Sequence, residues 1–374
     1  MLVTSRVITS DNPEWDRWLQ PVPHDFYHTA GYHRMHELES NSPARLFVYG
    51  TPSRFFAWPY LLSPIPDSIA GPERELYDVT SVYGYPGPLA HGCADDDSFL
   101  QAGWEALIEH WKSESVVSVF SRFHPILENY SFLERESHRS GLIATNEASG
   151  VRYEGQTVSI DLTEGEEGIW KQCRPMFRRH ITKAKRCGIV TEADKDWIYL
   201  DDFVRLYHAT MTRNHAAARY FFDRDHVEHL RDSASPHISL HVARMNDETA
   251  CAVLASEFDG VAQYLYAGVN EEFSAYSPLK VLLHHIACAA RANGNRALHL
   301  GGGRDAQDGD TLFYFKSGFS DRRHRFCTGR WILNPRLYAE LSADAAPSNF
   351  FPAYRSRAAK AQPEIPAPAA VSAI

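Results

Sequence analysis

The sequence lacks every arrangement that would tie cysteine or histidine to a metal. Its six cysteines (Cys93, Cys173, Cys187, Cys251, Cys288 and Cys327) show no Cys-x-x-Cys and no paired spacing, so reduced thiols are expected rather than a disulfide framework. Among 19 histidines some fall at helical spacing, such as His226 and His229, yet no His-Glu-x-x-His occurs, and no metal is expected. No apolar run approaches the ~20 residues that span a bilayer. The opening Met1-Leu-Val-Thr-Ser-Arg6 has no apolar core of a secretory signal, so a cytoplasmic protein is expected. Positive charge is also in short supply: 38 Lys and Arg face 47 Asp and Glu, a net −9. That balance argues against broad coating of nucleic acid but leaves room for a local basic patch.

What is present is an ordinary globular composition, 44% hydrophobic and 23% charged, over 374 residues, enough for two domains. Over the first ~150 residues short strands alternate with helices. Ala44–Tyr49 and Phe55–Leu62 read as strands, Asp96–Lys112 as an amphipathic helix around Trp104, Leu107, Ile108 and Trp111, and Val116–Phe120 as the next strand. Between them Tyr83-Gly-Tyr85-Pro-Gly-Pro88 reads as a rigid aromatic loop. Gly150–Gly155 reads as a hinge, followed by the alternating strand Gln156–Leu162.

The second half opens with a helix, Ile169–Arg186, broken or started near Pro175. From Lys171 to Arg186 it carries Lys171, Arg174, Arg178, Arg179, Lys183, Lys185 and Arg186 and no acid, a pattern that suits a phosphate partner. A helix pair, three strands (Ile238–Arg244, Ala250–Phe258, Gln263–Val269) with turns at Asn246-Asp247 and Asp259-Gly260, and a long helix from Ser277-Pro278 to Ala292 follow. The stretch that organises the chain is Arg296-Ala-Leu-His-Leu-Gly-Gly-Gly-Arg304-Asp305, then Asp310-Thr-Leu-Phe-Tyr-Phe-Lys316-Ser-Gly-Phe319. It reads as a strand over Ala297–Leu300, a glycine turn, and a short helix capped by Asp310 and ended by Gly318. Lys316, flanked by Phe315 and Phe319, would set one cation against an apolar wall, where developing negative charge can be stabilised. From Ser342 the tail is rich in Ala, Pro and Ser, and much of it is expected to be disordered.

The run Leu312–Phe319 resembles the C-terminal signature of the Fem-like aminoacyltransferases of the acetyltransferase (GNAT) superfamily. The basic helix with its step Arg186-Cys-Gly188-Ile-Val190 and the Tyr83–Pro88 loop are similar to that family as well. The resemblance covers about Asp78 to Leu341 and is weak before residue 70. It implies an α/β fold of two tandem GNAT-like lobes, mixed sheets flanked by helices with a cleft between them. The expected division is 1–150 for an acceptor-side lobe, 151–341 for the lobe carrying the transfer site, and 342–374 for the tail. The acetyltransferase-like order fits roughly 157–327. No heptad stretch could build the coiled-coil arm of the cell-wall members. The chain looks closer to armless relatives, including those that extend small peptides in antibiotic pathways.

By resemblance, Phe315 and Lys316 stand at the acyl-transfer site, while Arg178, Arg179, Lys183, Tyr83 and Tyr85 meet the phosphorylated acceptor. Arg322, Arg323 and Arg325, with Arg330 beyond, lie where they could take an RNA backbone. The implied partners are the 3′ end of an aminoacyl-tRNA and a small peptide or peptide-like acceptor, with no cofactor. Ordinary acetyltransferases hold acyl-CoA on a glycine loop at a helix N-terminus. Here the corresponding residues are Asn270-Glu-Glu-Phe-Ser-Ala-Tyr-Ser277, with two carboxylates and no glycine, which disfavours CoA. No Gly-Lys-Ser/Thr follows the glycine run and no Gly-x-Ser-x-Gly suggests a serine nucleophile. Asp305, His299 and Tyr314 stay open as general bases. The alternative function is an acyl-CoA-dependent N-acyltransferase using another pyrophosphate site, and a third is a non-catalytic binding protein that keeps the fold.

Overall fold

The computed structural model describes residues 4–137, 149–303, 310–345 and 350–356. Along the chain run β1 (Thr4–Thr9), α1 (Glu14–Leu19), α2 (Ala30–Ser40), β2 (Ala44–Thr51), β3 (Arg54–Pro64), α3 (Asp67–Ala70), β4 (Tyr77–Thr80), β5 (Leu89–His91), α4 (Asp97–Ser113), β6 (Val116–Arg122) and α5 (Ser131–Ser137). Then come β7 (Gly150–Asp161), α6 (Gly165–Gln172), α7 (Pro175–Arg186), β8 (Val190–Asp194), α8 (Leu200–Arg213), α9 (Arg224–Ser233), β9 (Ile238–Met245), β10 (Glu248–Phe258) and β11 (Val261–Val269). The chain closes with α10 (Pro278–Ala292), β12 (Ala297–Gly302), α11 (Thr311–Ser317), β13 (Arg323–Ile332) and α12 (Pro335–Leu341). Its described residues divide into two compact units: those up to Glu154 together with those from Arg325 to Ser356, and those within Gly155–His324.

In the first unit the strand order is β1-β2-β3-β4-β6-β13, with β5 paired to β3. Helix α4 starts because Asp96 accepts a hydrogen bond from the Phe99 amide at 3.0 Å. Its Leu100, Trp104, Leu107 and Trp111 recur at helical spacing and are all buried. They pack with Trp58, Phe123 and Trp331 in one core, Trp58 stacking on Trp104 at 5.4 Å. Each such side chain contributes about 1.5–3 kcal/mol by leaving water.

Residues 325–341 were expected in the second lobe, but they complete the first. β13 pairs antiparallel with β6 from Thr328↔Arg122 to Ile332↔Ser118, and that ladder takes the segment with it. Gly150–Gly155, expected as a hinge, is instead continuous strand within β7. Of the tail, Tyr354 is buried against Ile65, Ala70, Val117 and Leu341. The expectation of disorder for the rest falls on residues 346–349 and 357–374, outside the described residues.

In the second unit the order is β7-β12-β11-β10-β9-β8. β9, β10 and β11 form an antiparallel meander, turning at Asn246-Asp247 (φ 52 and 64) and Asp259-Gly260 (φ 43 and 79) as their sequences direct. α10 opens on Pro278 in its first turn and buries Leu279, Leu282, Leu283, Ile286 and Ala290 on the sheet. α7 buries Phe177, Ile181 and Ala184, so its cations line the remaining faces. β12 runs parallel to β11, but their pairing spans only Val261–Gln263 with Ala297–His299. Past that point the two strands are no longer joined, and the candidate site begins there.

Candidate active site

The glycine run does not turn where the sequence suggested. Gly301 and Gly302 extend β12, with a register shift against β7 between His299 and Gly301. Gly303 has a different job. A Cβ there would lie 1.9 Å from the Asp310 carboxylate. That carboxylate caps α11, accepting from the Leu312 and Phe313 amides at 2.8 and 3.1 Å. Gly318 ends α11 as expected, though its φ of −70 needs no glycine. What needs glycine is the Phe177 ring, which sits 2.2 Å from where a Cβ would be.

α11 is short, so its position is set by these two contacts rather than by its own turns. They aim Lys316 inward, where it is fully enclosed. Its Nζ donates to the Gly302 carbonyl at 2.7 Å and lies 5.7 Å from the centre of the Tyr264 ring on β11. Burial pulls its pKa from the ordinary lysine value down to about 7, against the opposing pull of the Asp310 carboxylate. An ammonium has three donors, and Gly302 takes one. The others meet no acceptor among the described residues.

Phe315 is half-buried and packs 5.8 Å from Phe177 and 5.5 Å from Phe319. Over these rings lies Lys280 of α10, its Nζ 4.8 Å from the centre of Phe177 and 5.9 Å from that of Phe315. Lys280 donates to His180 Nδ1 at 3.1 Å, and burial lowers its pKa. His180 is lowered as well, first by burial and then by Lys280, Lys183 and Arg179. Neither Lys280 nor His180 is among the residues that the sequence motifs single out. The signal was present: Pro278 fixes the start of α10 and so the height of Lys280 two residues on, but which face it takes depends on α7.

The other expected residues are spread over both units. On α7, Arg179 and Lys183 are exposed, while half-buried Arg178 donates to the Lys171 carbonyl at 3.4 Å. In the second unit Arg322 pairs with Asp161 at 2.7 Å, and Arg323 donates to the Ser320 carbonyl at 2.8 Å. In the first unit Arg325 holds Glu134 with two bonds (2.8 and 3.2 Å), and Arg330 pairs with Glu154 at 2.9 Å. Four of these arginines therefore meet a carboxylate already, Arg323 through exposed Asp321 at 3.7 Å. Tyr83 and Tyr85 also belong to the first unit. The Arg122 guanidinium lies 5.5 Å from the centre of the Tyr83 ring, and Tyr85 packs edge-on to Tyr27 and Phe326, with burial raising its phenol to about 12. Of the candidate bases, His299 is buried with Nδ1 on Gln263 at 2.8 Å, Tyr314 is exposed, and Asp305 lies outside the described residues. Asn270–Ser277 does precede α10 as expected, and Glu271 and Glu272 are both exposed there.

The model of an acetyltransferase (GNAT) domain matches residues 171–317. No curated protein sequence matches the chain. Among solved structures, FemX superposes with a TM-score of 0.69 at 14% identity, over 90% of this chain and 99% of that one. L-PGS from Bacillus licheniformis follows the fold with a TM-score of 0.55 at 10% identity, over 89% and 95% of the two chains. The C-terminal domain of a proposed lysylphosphatidylglycerol synthetase from Agrobacterium fabrum does so with 0.52 at 14% identity, over 88% and 95%. The likeness in fold thus extends over nine tenths of the chain, and the match to the GNAT-domain model covers the stretch that carries Lys316.

Proposed function

We propose that this acyltransferase is a tRNA-dependent aminoacyltransferase, moving an amino acid from aminoacyl-tRNA to the amine of a small peptide or peptidoglycan-like acceptor. The observation that carries the reading is Lys316. It is the second member of a Phe-Lys pair, buried with donors to spare, in a chain that shares the fold of FemX. An aminoacyl ester is already activated, so the protein has only to position the amine and stabilise the oxyanion. The acceptor nitrogen, after losing a proton, attacks the ester carbonyl. The carbonyl oxygen takes the charge beside Lys316. The C–N bond then stays, the bond to the ribose oxygen breaks, and that oxygen takes up the second proton, which the nitrogen gives up as it becomes an amide. Phe315 packs the acyl or adenosine end, and Arg178, Arg179 and Lys183 are placed on one helix to receive a phosphorylated partner. The name of the Agrobacterium relative, which joins lysine to a lipid headgroup, agrees with aminoacyl transfer.

The match to a GNAT domain favours a second reading, an acyl-CoA-dependent N-acyltransferase acting on a small-molecule amine. Against it stand exposed Glu271 and Glu272 ahead of α10, which would repel a pyrophosphate. Incubation with charged tRNA pools and peptide acceptors should yield amide products that disappear when RNase is added first. Products formed from acetyl-CoA instead, with micromolar CoA affinity by calorimetry, would put the second reading first.

A further inference from the structure

Outside the enclosed lysine, the second unit presents an arrangement of its own. Tyr314 stands on the outer side of α11 and is 59% exposed, one of few large aromatic or apolar side chains so open among the described residues. The Arg174 guanidinium lies 4.7 Å from the centre of its ring. Next to it a second pair repeats the pattern, with Arg323 5.4 Å from the centre of the half-buried Phe313 ring. The two arginines sense each other: Arg323 is lowered first by burial and, in part, by the charge of Arg174, with Asp321 pulling the other way. Met176, 44% exposed, follows Arg174 at the start of α7.

This patch is fixed rather than loose. The Arg174 amide donates to the Gly318 carbonyl at 2.8 Å, tying the start of α7 to the end of α11, and Tyr314 is held within α11 by its bond to the Asp310 carbonyl at 2.9 Å. A second exposed tyrosine shows what a closed version looks like. The Arg325 guanidinium lies 5.8 Å from the centre of the Tyr153 ring, but Glu134 neutralises it with two hydrogen bonds. No carboxylate among the described residues pairs with Arg174, whereas Arg323 meets the exposed Asp321 carboxylate at 3.7 Å, a long contact that a phosphate would have to displace.

We propose that Tyr314, Arg174, Arg323 and Phe313 form a stacking platform for the single-stranded 3′ end of an RNA. Tyr314 receives a base on its open face and the two guanidiniums take the flanking phosphates. Single-stranded nucleic acid is held in this way, by aromatic faces that accept any base and by cations that track the backbone. An apolar partner would not need two arginines, and an acidic peptide would not need the open ring. The proposal rests on the reading of aminoacyl-tRNA as donor. It adds the surface that would bring the RNA terminus to the helix carrying Lys316.

The test uses the full-length protein and an uncharged RNA hairpin with a short single-stranded 3′ tail, beside the same hairpin with a blunt end. The wild type should bind the tailed hairpin more tightly. Tyr314→Ala should lose about tenfold or more in affinity, the range expected for one stacked base, and Tyr314→Phe should restore it. Arg174→Gln should reduce the salt dependence by about 0.7 in the logarithmic slope, one phosphate contact. Because Tyr314 is exposed, these variants should melt with the wild type. Tail-dependent binding that is unchanged in Tyr314→Ala would overturn the platform and leave the proposed function standing. A wild type indifferent to the tail would count against the RNA donor and the platform together.

Discussion

Two buried ionic groups of the first unit and two lysines of the second are served in opposite ways. In the first, Asp78 is buried and fully served: Arg355 Nε reaches it at 2.6 Å, Ser118 at 2.8 Å, and Tyr354 donates to it as well. Likewise buried His124 meets the Asp25 carboxylate at 3.1 Å, while its other ring nitrogen accepts from the Ile126 and Leu127 amides. In the second unit Lys316 is just as enclosed but rests on one backbone carbonyl, and half-buried Lys280 rests on a histidine and the Ser277 hydroxyl, with no carboxylate. An ion stripped of water without a counter-ion costs several kcal/mol unless its pKa gives way, and that of Lys316 does. The contrast separates charge matched by opposite charge from charge left with neutral partners alone.

That contrast can be sharpened first at Lys316. Lys316→Met keeps the volume and removes the charge, so it should melt at or above the wild type while single-turnover transfer from charged tRNA falls about a hundredfold or more. A near-normal rate in the folded variant would remove Lys316 from the chemistry. The counterpart in the first unit is Asp78→Ala, which strands Arg355, Ser118 and Tyr354. It should cost about 3 kcal/mol in denaturant unfolding, and a loss below 1 kcal/mol would erase the contrast.

The third measurement uses pH. Folded Lys316 titrates near 7 and the unfolded side chain near its ordinary value of 10.5, so between these the unfolded state binds more protons and wild-type stability rises with pH. The stability advantage of Lys316→Met should therefore shrink from pH 7 to 9.5, by at most about 1.4 kcal/mol per pH unit. A constant gap would mean that Lys316 is an ordinary charged lysine. The smallest effect belongs to the surface. Arg322→Gln breaks an ion pair with both partners partly exposed and should change stability by less than about 1 kcal/mol. A larger loss by thermal melt would show that the second unit also leans on charge pairs.

The sequence disclosed the local features of the site and few of the non-local ones. Asp310 as a cap, Pro278 at the head of α10 and the turns at Asn246-Asp247 and Asp259-Gly260 follow from residue type and the next few neighbours. Gly318 was legible as a terminus, but its reason is the Phe177 ring, more than a hundred residues earlier in the chain. The inward aim of Lys316 was hidden in the same way. It depends on where β11 and β12 cease to pair and on Gly303 admitting Asp310. Strand β13 and helix α12 were read with their sequence neighbours, because nothing local to Arg325–Leu341 reveals that β6 is the partner.

That last pairing has a consequence for how the molecule is made. As the chain leaves the ribosome, Gly155–His324 emerges as one uninterrupted stretch before the first unit has its final strand. Until residues 328–332 appear, β6 carries an unsatisfied ladder edge, the kind of surface that recruits foreign strands. The nascent protein is therefore exposed longest not at the stretch last translated but at one translated about two hundred residues earlier. A chaperone that shields this protein during synthesis would find its target at Val116–Arg122.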